Sequence, residues 1–261
     1  SGLTGVTAIS AACEYNIALK SDGIVWSWGS NEYGGLGNGS KTNSNIPVQA
    51  TGLTGVTAIA GGSYQTLALK SDGTVWTWGD NSFGQIADGT KNNEFSKNDP
   101  DNDQLTPVQV SGLTGVQAIA ASRGHSLALK ADGTLWAWGR NDLGQLGDGT
   151  DQERLTPVQV LGPGGSGFLT DITMIAAGGS YGGNSAAVRS DGTLFLWGDN
   201  NDGQLGDGSE ETRLVPGAVP GLPGVRAVAI GGQHVIALRM DGTVWAWGYN
   251  SYGQLGNGNN T

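Results

Sequence analysis

The chain has 261 residues, with 13 basic and 23 acidic side chains, a net charge of −10 and 47 glycines. An acidic chain repels phosphate, which disfavours nucleic acid as a partner. Its single cysteine, Cys13, excludes an internal disulfide and a cysteine-based zinc site. No stretch approaches the ~18 consecutive apolar residues of a membrane span, so no membrane insertion is expected.

A repeat of about 50 residues runs along the chain. Asp-Gly pairs mark five copies at spacings of 50, 60, 59 and 50 residues, starting at Asp22, Asp72, Asp132, Asp191 and Asp241. The longer intervals are explained by insertions in the second and fourth copies. The copies cover approximately residues 1–50, 51–110, 111–160, 161–219 and 220–261, which we interpret as one domain.

Within a copy, apolar residues alternate with a period of two. The second copy has four such segments: "VTAIA" (56–60), "TLALK" (66–70), "TVWTWG" (74–79) and "PVQV" (107–110). They are short, rich in β-branched or aromatic residues and bounded by turn formers, so each predicts a strand. The Asp-Gly pair predicts a two-residue turn between the middle strands. Four antiparallel strands per repeat predict an all-β protein, a β-propeller of about five blades.

Aromatic residues recur two positions apart in the third predicted strand, so both rings of a pair face one side. The pairs are Trp26/Trp28, Trp76/Trp78, Trp136/Trp138, Phe195/Trp197 and Trp245/Trp247. Because the pair occurs in every copy, we interpret it as an apolar ridge that packs against the next blade rather than as a ligand platform. The glycine after each pair is predicted to allow a close approach or a positive φ.

These repeats resemble the regulator-of-chromosome-condensation family. The resemblance rests on "AIAASRGHSLALKADGTLWAWGRNDLGQLGDG" (118–149), "VIALRMDGTVWAWGYNSYGQLGNG" (235–258) and the matching part of the second copy (58–85). It implies a β-propeller, most familiarly seven-bladed, and a habit of binding proteins. Members include guanine-nucleotide exchange factors, chromatin binders, ubiquitin-ligase modules, bacterial effectors and secreted β-lactamase inhibitors, so the resemblance implies no single activity.

The number of strands departs from five complete blades. The "PVQV"-type strand occurs four times, at Pro47, Pro107, Pro157 and Pro216, and no such segment follows "GQLGNGNNT". One blade then has three strands, or a partner chain supplies the fourth. Alternatively, the chain is a fragment of a seven-bladed or longer array.

The copies differ mainly in the loops after the first and third predicted strands, which the strand order places on one face. A binding surface on that face would use Tyr33, Phe83, Arg140, Tyr181, Tyr249 and Tyr252. Tyrosine, phenylalanine and arginine are residue types that anchor interfaces. Neutral drift of solvent-exposed loops is the alternative explanation.

Two further features are candidate chemical sites. His125 and His234 occupy one repeat position, where a hydrogen bond to a neighbouring loop is favoured over catalysis. In the second-copy insertion, Asp99, Asp101 and Asp103 alternate as at the start of a calcium loop, although Gln104 replaces the expected glycine. Calcium is therefore the one cofactor that we consider, against a solvated acidic loop.

The sequence favours a non-enzymatic propeller that binds a protein or glycan, in a bacterial-type protein located outside the cell or at its surface. One alternative is a structural subunit that assembles head-to-tail by strand donation. Another is an exchange factor for a small GTPase. No catalytic constellation of residues supports an enzyme.

Overall fold

The computed structural model describes residues 2–92, 102–179 and 183–260. Within these ranges the protein consists of β-strands and one 3₁₀ turn, Pro163–Gly165. No helix there is long and apolar enough to cross a membrane.

The strands form five antiparallel sheets, one for each repeat. The first sheet contains β1 (Val6–Ala11), β2 (Tyr15–Lys20), β3 (Val25–Gly29) and β4 (Ser44–Gln49). The second contains β5 (Val56–Gly61), β6 (Gln65–Lys70), β7 (Val75–Gly79) and β8 (Gln104–Gln109). The third contains β9 (Val116–Ala121), β10 (His125–Lys130), β11 (Leu135–Gly139) and β12 (Arg154–Gln159).

The fourth sheet contains β13 (Ile172–Gly178), β14 (Asn184–Arg189), β15 (Leu194–Gly198) and β16 (Arg213–Ala218). The fifth contains β17 (Val225–Ile230), β18 (His234–Arg239) and β19 (Val244–Gly248), and β19 pairs with β18 in the described part of the chain. Strands adjacent in sequence are adjacent in every sheet. The predicted all-β propeller of about five blades is confirmed, with three strands in the fifth sheet.

The turn between the second and third strands is one residue longer than predicted. In the first sheet, the Lys20 N–H donates to the Ile24 carbonyl at 3.0 Å, which leaves Ser21, Asp22 and Gly23 between the paired residues. Gly23 has a φ of +76°. A three-residue connection with a left-handed glycine follows the twist of the strands, as a two-residue turn would also do.

Four apolar clusters lie between consecutive sheets and form the core. Each cluster combines side chains of one sheet with those of the next along the chain. The aromatic pairs of the second, third and fourth sheets belong to these clusters, as predicted for a packing ridge, and Trp78, Trp138 and Trp197 have no exposed surface. The ridge packs against the preceding sheet, however, and not against the next one. The reason is that the indole N–H finds its acceptor in a loop of the preceding sheet, as between Trp78 and the Gly35 carbonyl at 2.9 Å.

Candidate functional site

The first strands of the five sheets surround a central cavity of about 600 Å³. Its lining comes from the end of the first strand and the following loop in every repeat, and includes Cys13, Tyr64, Arg123, Gly179 and Gly232. We call the surface formed by the loops after the first and third strands the loop face. The cavity opens among these loops, so the loop face surrounds the axis of the propeller.

Tyr33 and Tyr64 join the first and second sheets on the loop face. Their ring centroids are 4.7 Å apart, and Tyr33 is 37% exposed. Burial raises the pKa of the Tyr64 hydroxyl, and the nearby acidic groups of Cys13 and Glu14 raise it further. Tyr64 is absent from the predicted set of binding residues, although it contacts a member of that set and also lines the cavity.

Phe83 and Arg140 join the second and third sheets in the same way. The Arg140 guanidinium lies 5.1 Å from the centroid of the Phe83 ring, within the range of a cation–π interaction. Arg140 also forms an ion pair with Asp142 at 2.6 Å. Next to this pair, a side chain at Gly124 would meet both Phe83 and Arg140. The loops of two sheets therefore interlock here.

Tyr249 and Tyr252 both belong to the fifth sheet. Their ring centroids are 6.1 Å apart in an edge-to-face arrangement, and Tyr252 is 86% exposed. The remaining predicted residue, Tyr181, lies outside the described residues. The structure thus groups the predicted positions into separate contact pairs around the rim rather than into one cluster.

The variable loop positions have a structural role as well as an exposed surface. Tyr33 and Phe83 occupy equivalent positions, and each contacts the loop after the first strand of the following sheet. At the same position in the fourth sheet, Asp202 accepts a hydrogen bond of 2.8 Å from Gln233 in the fifth sheet. Part of the variation between copies therefore matches each loop to its neighbour.

In the first three sheets, the repeat position that includes His125 forms hydrogen bonds to the next sheet. The Tyr15 hydroxyl donates to the Gln65 carbonyl at 2.7 Å, and the Gln65 amide donates to Ser126 Oγ at 2.9 Å. His125 Nε2 lies 2.9 Å from Ser185 Oγ. Burial, together with the smaller effect of the positive charge of Arg140, lowers the pKa of His125 to about 3. His125 thus joins two sheets, and its partner lies in strand β14 rather than in a neighbouring loop as expected from the sequence.

The calcium hypothesis stays a prediction, because Asp99 and Asp101 lie outside the described residues. Asp103 Oδ2 accepts from Lys41 Nζ at 2.7 Å, and Asp103 Oδ1 accepts from Asn92 Nδ2 at 2.6 Å. The side chain of Asp103 is 3% exposed. These contacts join the loops of the first and second sheets. Among the described residues, no three histidine, cysteine or acidic side chains form a group that could hold a metal ion.

A buried asparagine that the sequence reasoning missed organises each loop after a third strand. Asn141 Oδ1 accepts from the Leu146 N–H at 2.9 Å, and Asn141 Nδ2 donates to the carbonyls of Thr150 and Gln152, both at 2.9 Å. Its equivalents make similar bonds, and they are Asn31, Asn81, Asn200 and Asn250. The signal in the sequence is the same asparagine two residues after every "WG".

The fold and the loop face define a β-propeller scaffold with a diversified rim. The model of the RCC1-like domain matches residues 1–261. The chain therefore belongs to the RCC1-like domain family, and the resemblance noted in its repeats is confirmed.

Relatives and solved structures agree with this assignment. The chain is 34% identical over 235 residues to the ultraviolet-B receptor UVR8 of Arabidopsis thaliana. The matched region covers 88% of this chain and 50% of UVR8. A human structure, WBSCR16, has 26% identity and a TM-score of 0.81, covering 98% of this chain and 64% of that one. The structure of yeast RCC1 (Prp20), solved with Kap60, has 21% sequence identity to this chain and a TM-score of 0.64. The match covers 94% of this chain and 70% of the yeast chain, and at this identity it supports the fold alone. The chain spans about half the length of UVR8.

Proposed function

We propose that this propeller is a non-enzymatic scaffold that binds a partner protein through its loop face. The observation that carries the proposal is the set of exposed or half-exposed aromatic and arginine side chains around the mouth of the central cavity, with Tyr33, Tyr64 and Arg123 on consecutive sheets. Tyrosine and arginine are enriched where interfaces gain most of their binding energy. Yeast RCC1 is a propeller of the same fold that has been solved with a protein partner.

A protein partner fits the loop face better than a deeply buried small molecule. Its aromatic pairs are spread over several sheets, so a ligand that contacts more than one pair has to be large. A spread of this kind suits interfaces of about 800 Å² per partner. Glycan binding, a location outside the cell and exchange-factor activity stay predictions from the sequence.

The experiment compares protein capture by the wild-type chain with capture by two variants. The loop-face variant carries Tyr33→Ala and Tyr252→Ala, which remove two exposed rings. The control, Met240→Ala, removes a side chain that is 63% exposed in a turn between the second and third strands, on the opposite face. Thermal unfolding of each variant confirms that it is folded.

We expect a partner that wild type and the Met240→Ala variant capture equally, and whose affinity for the loop-face variant is at least about tenfold lower. Such a loss corresponds to about 1.4 kcal/mol. A partner that the Tyr33→Ala/Tyr252→Ala variant binds as tightly as wild type does, while Met240→Ala weakens binding, would contradict the proposal.

A further inference from the structure

The charge of the molecule is divided unequally between its two faces. The opposite face consists of the turns between the second and third strands and of the connections between sheets. Of the 20 acidic and 12 basic side chains in the described ranges, six of each lie on the opposite face. The other 14 acidic and six basic side chains lie on the loop face or at the strand ends next to it. The opposite face is therefore neutral, and the net negative charge of the described residues belongs to the loop face.

On the opposite face, each repeat neutralises its own acidic turn. The last residue of the second strand is a lysine or an arginine, and it forms an ion pair with the aspartate of the Asp-Gly turn that follows. The pairs are Lys20–Asp22, Lys70–Asp72, Lys130–Asp132, Arg189–Asp191 and Arg239–Asp241. The repeat thus accommodates a basic side chain beside an acidic one in all five copies.

The loop face has an excess of carboxylates. Five of its six basic side chains form ion pairs within the face, and the pairs are Lys41–Asp103, Lys91–Glu153, Arg140–Asp142, Arg154–Asp148 and Arg213–Asp207. These pairs leave nine of the 14 carboxylates without an ion pair in the described part of the chain. Glu32, Asp151 and Glu211 are exposed members of this group. Like charges on one surface repel each other, so the excess destabilises the folded protein.

The loops do not need these three carboxylates in order to fold. Neutral or basic residues occupy the same repeat positions in other sheets: Ser82 and Asn201 at the position of Glu32, Lys41 and Lys91 at that of Asp151, and Thr42 and Gln152 at that of Glu211. The buried asparagine of the loop makes its bonds in all of these sheets. The three carboxylates are therefore available to a partner.

Tyrosine rings lie on the same face as the carboxylates. Tyr33 directly follows Glu32 and is 37% exposed, and its ring contacts that of Tyr64. An aromatic face attracts a lysine ammonium or an arginine guanidinium, as the Phe83 ring does with Arg140 within the loop face. Aromatic rings and carboxylates together favour a cationic ligand over a neutral or an anionic one.

We propose that the partner of the loop face is a basic protein, which contacts this face with a segment rich in lysine and arginine. This inference rests on the proposed function and names the chemistry of the partner. Cationic side chains of the segment pair with Glu32, Asp151 and Glu211. Because these carboxylates belong to the first, third and fourth sheets, an extended segment fits them better than a single cation. Complementary charge of this kind accelerates association and excludes acidic partners.

Fluorescence anisotropy of a labelled octalysine peptide tests the proposal, with octaglutamate as the probe of opposite charge. The loop-face charge variant carries Glu32→Gln, Asp151→Asn and Glu211→Gln, which remove the three carboxylates and keep the size of each side chain. Thermal unfolding verifies that this variant is folded.

The control variant removes the same number of negative charges from the opposite face. It carries Asp72→Asn, Asp132→Asn and Asp171→Asn. Asparagine keeps the oxygen that accepts from the backbone N–H groups of Thr74 and Thr134. It also suits the left-handed backbone of Asp171, whose φ is +61°. Its fold is verified in the same way.

We expect wild type and the control to bind octalysine equally, and the loop-face charge variant to bind it about tenfold more weakly, because three exposed ion pairs are lost. Raising the salt concentration from about 20 mM to about 200 mM should weaken binding to wild type, because the charges are then screened over a shorter distance. Octaglutamate should bind none of the three proteins.

The proposal is overturned if octalysine fails to bind wild type, binds all three proteins equally, or loses more affinity for the control than for the loop-face charge variant. If a captured protein nevertheless loses affinity for the Tyr33→Ala/Tyr252→Ala variant, the loop face binds a partner of different chemistry and the proposed function stands alone. Octalysine binding that requires the three carboxylates supports a cationic ligand. If in that case no captured protein responds to the tyrosine substitutions, the proposed function is the part that fails.

Discussion

At the scale of single residues, a difference between copies changes the hydrogen bond of the first tryptophan in the aromatic pair. In the second and third sheets, the first tryptophan of the pair donates its indole N–H to a threonine two residues earlier, as from Trp76 to Thr74 Oγ1 at 3.2 Å. The first sheet has Ile24 at this position, and the buried Trp26 Nε1 has no acceptor among the described residues. A buried donor without an acceptor destabilises the fold.

Introducing a hydroxyl at this position should repair the contact. We expect the Ile24→Thr variant to be more stable than the Ile24→Val variant by about 1 kcal/mol, because threonine and valine have the same shape and threonine supplies an acceptor. Urea unfolding of the two variants measures the difference. Equal stability of the two proteins would show that Trp26 gains no hydrogen bond.

The glycine after each aromatic pair illustrates a close approach of two backbones. Gly139 has a φ of +99°, and a Cβ there would collide with the carbonyl oxygen of Gly124. Gly112 also has a positive φ, +74°, but a Cβ there would meet nothing within 4 Å. For Gly139, the prediction that the glycine after an aromatic pair allows a close approach or a positive φ is thus confirmed.

The two glycines allow backbone strain and steric collision to be separated. We expect Gly112→Ala to lower the free energy of unfolding by about 1 kcal/mol, the cost of a left-handed conformation for alanine. Gly139→Ala should lower it by roughly 3 kcal/mol, because the backbone must also move. Thermal or urea unfolding provides both values, and similar values for the two variants would mean that the collision is relieved without cost.

At the scale of elements, the strands could be predicted well and their contacts could not. "VTAIA" and "TLALK" coincide with β5 and β6 to within one residue, because alternation of apolar residues reports directly on which side is buried. The fourth strand begins at Gln104, three residues before the predicted "PVQV". Gln104 pairs with Gly79, and a polar residue at a sheet edge leaves no periodic signal.

The loop contacts depend on information that a single repeat lacks. The strand order places the loops after the first and third strands on one face. The contact between Tyr33, after a third strand, and Tyr64, after a first strand, agrees with this placement. The pairing of Phe83 with Arg140 requires knowing how two sheets are rotated and spaced about the axis. Asn141 could have been found, since it recurs in every copy, but asparagine in a loop usually indicates a turn and nothing more.

The asparagine should control the stability of its whole loop. Asn141→Ala removes the acceptor of the Leu146 N–H and the donor to two carbonyls, so we expect a loss of about 3 kcal/mol in unfolding free energy. The Asp151→Ala variant is the control, because Asp151 is exposed in the same loop and should change stability by less than about 0.5 kcal/mol. Amide hydrogen exchange of Leu146 should accelerate in Asn141→Ala alone, and unchanged exchange would contradict this role.

At the scale of the whole molecule, buried polar groups connect one sheet to the next. The bonds from Tyr15 to Gln65, from Gln65 to Ser126 and between His125 and Ser185 cross three interfaces in succession. These side chains are buried, and a hydrogen bond depends on direction as well as on distance. The series therefore adds directional contacts to the apolar packing between four consecutive sheets.

His125 should make stability depend on pH. Its pKa in the folded protein is about 3, below the ordinary value of about 6.5 that the unfolded chain retains. Between these values the unfolded chain binds a proton that the folded protein does not, so stability falls as the pH is lowered. From pH 7 to pH 5 the loss attributable to this group is about 2 kcal/mol.

The matched variant is His125→Gln, because glutamine occupies the equivalent position 65 and bonds there to Ser126. We expect the variant to lose about 2 kcal/mol less stability than wild type over this interval, which lies above the range where most carboxylates titrate. Urea unfolding at both pH values provides the comparison. Parallel curves for the two proteins would show that His125 does not remain neutral in the folded state.

The direction of the tryptophan bonds has a consequence for how such proteins change in length. At each of the four contacts between consecutive sheets, an indole N–H of the later sheet donates to a carbonyl of the earlier one, so a unit inserted between two existing ones could make the same contact on both sides. Whole units can then be gained or lost without a new kind of interface. Duplication and deletion in steps of about 50 residues are the changes that this architecture tolerates most easily.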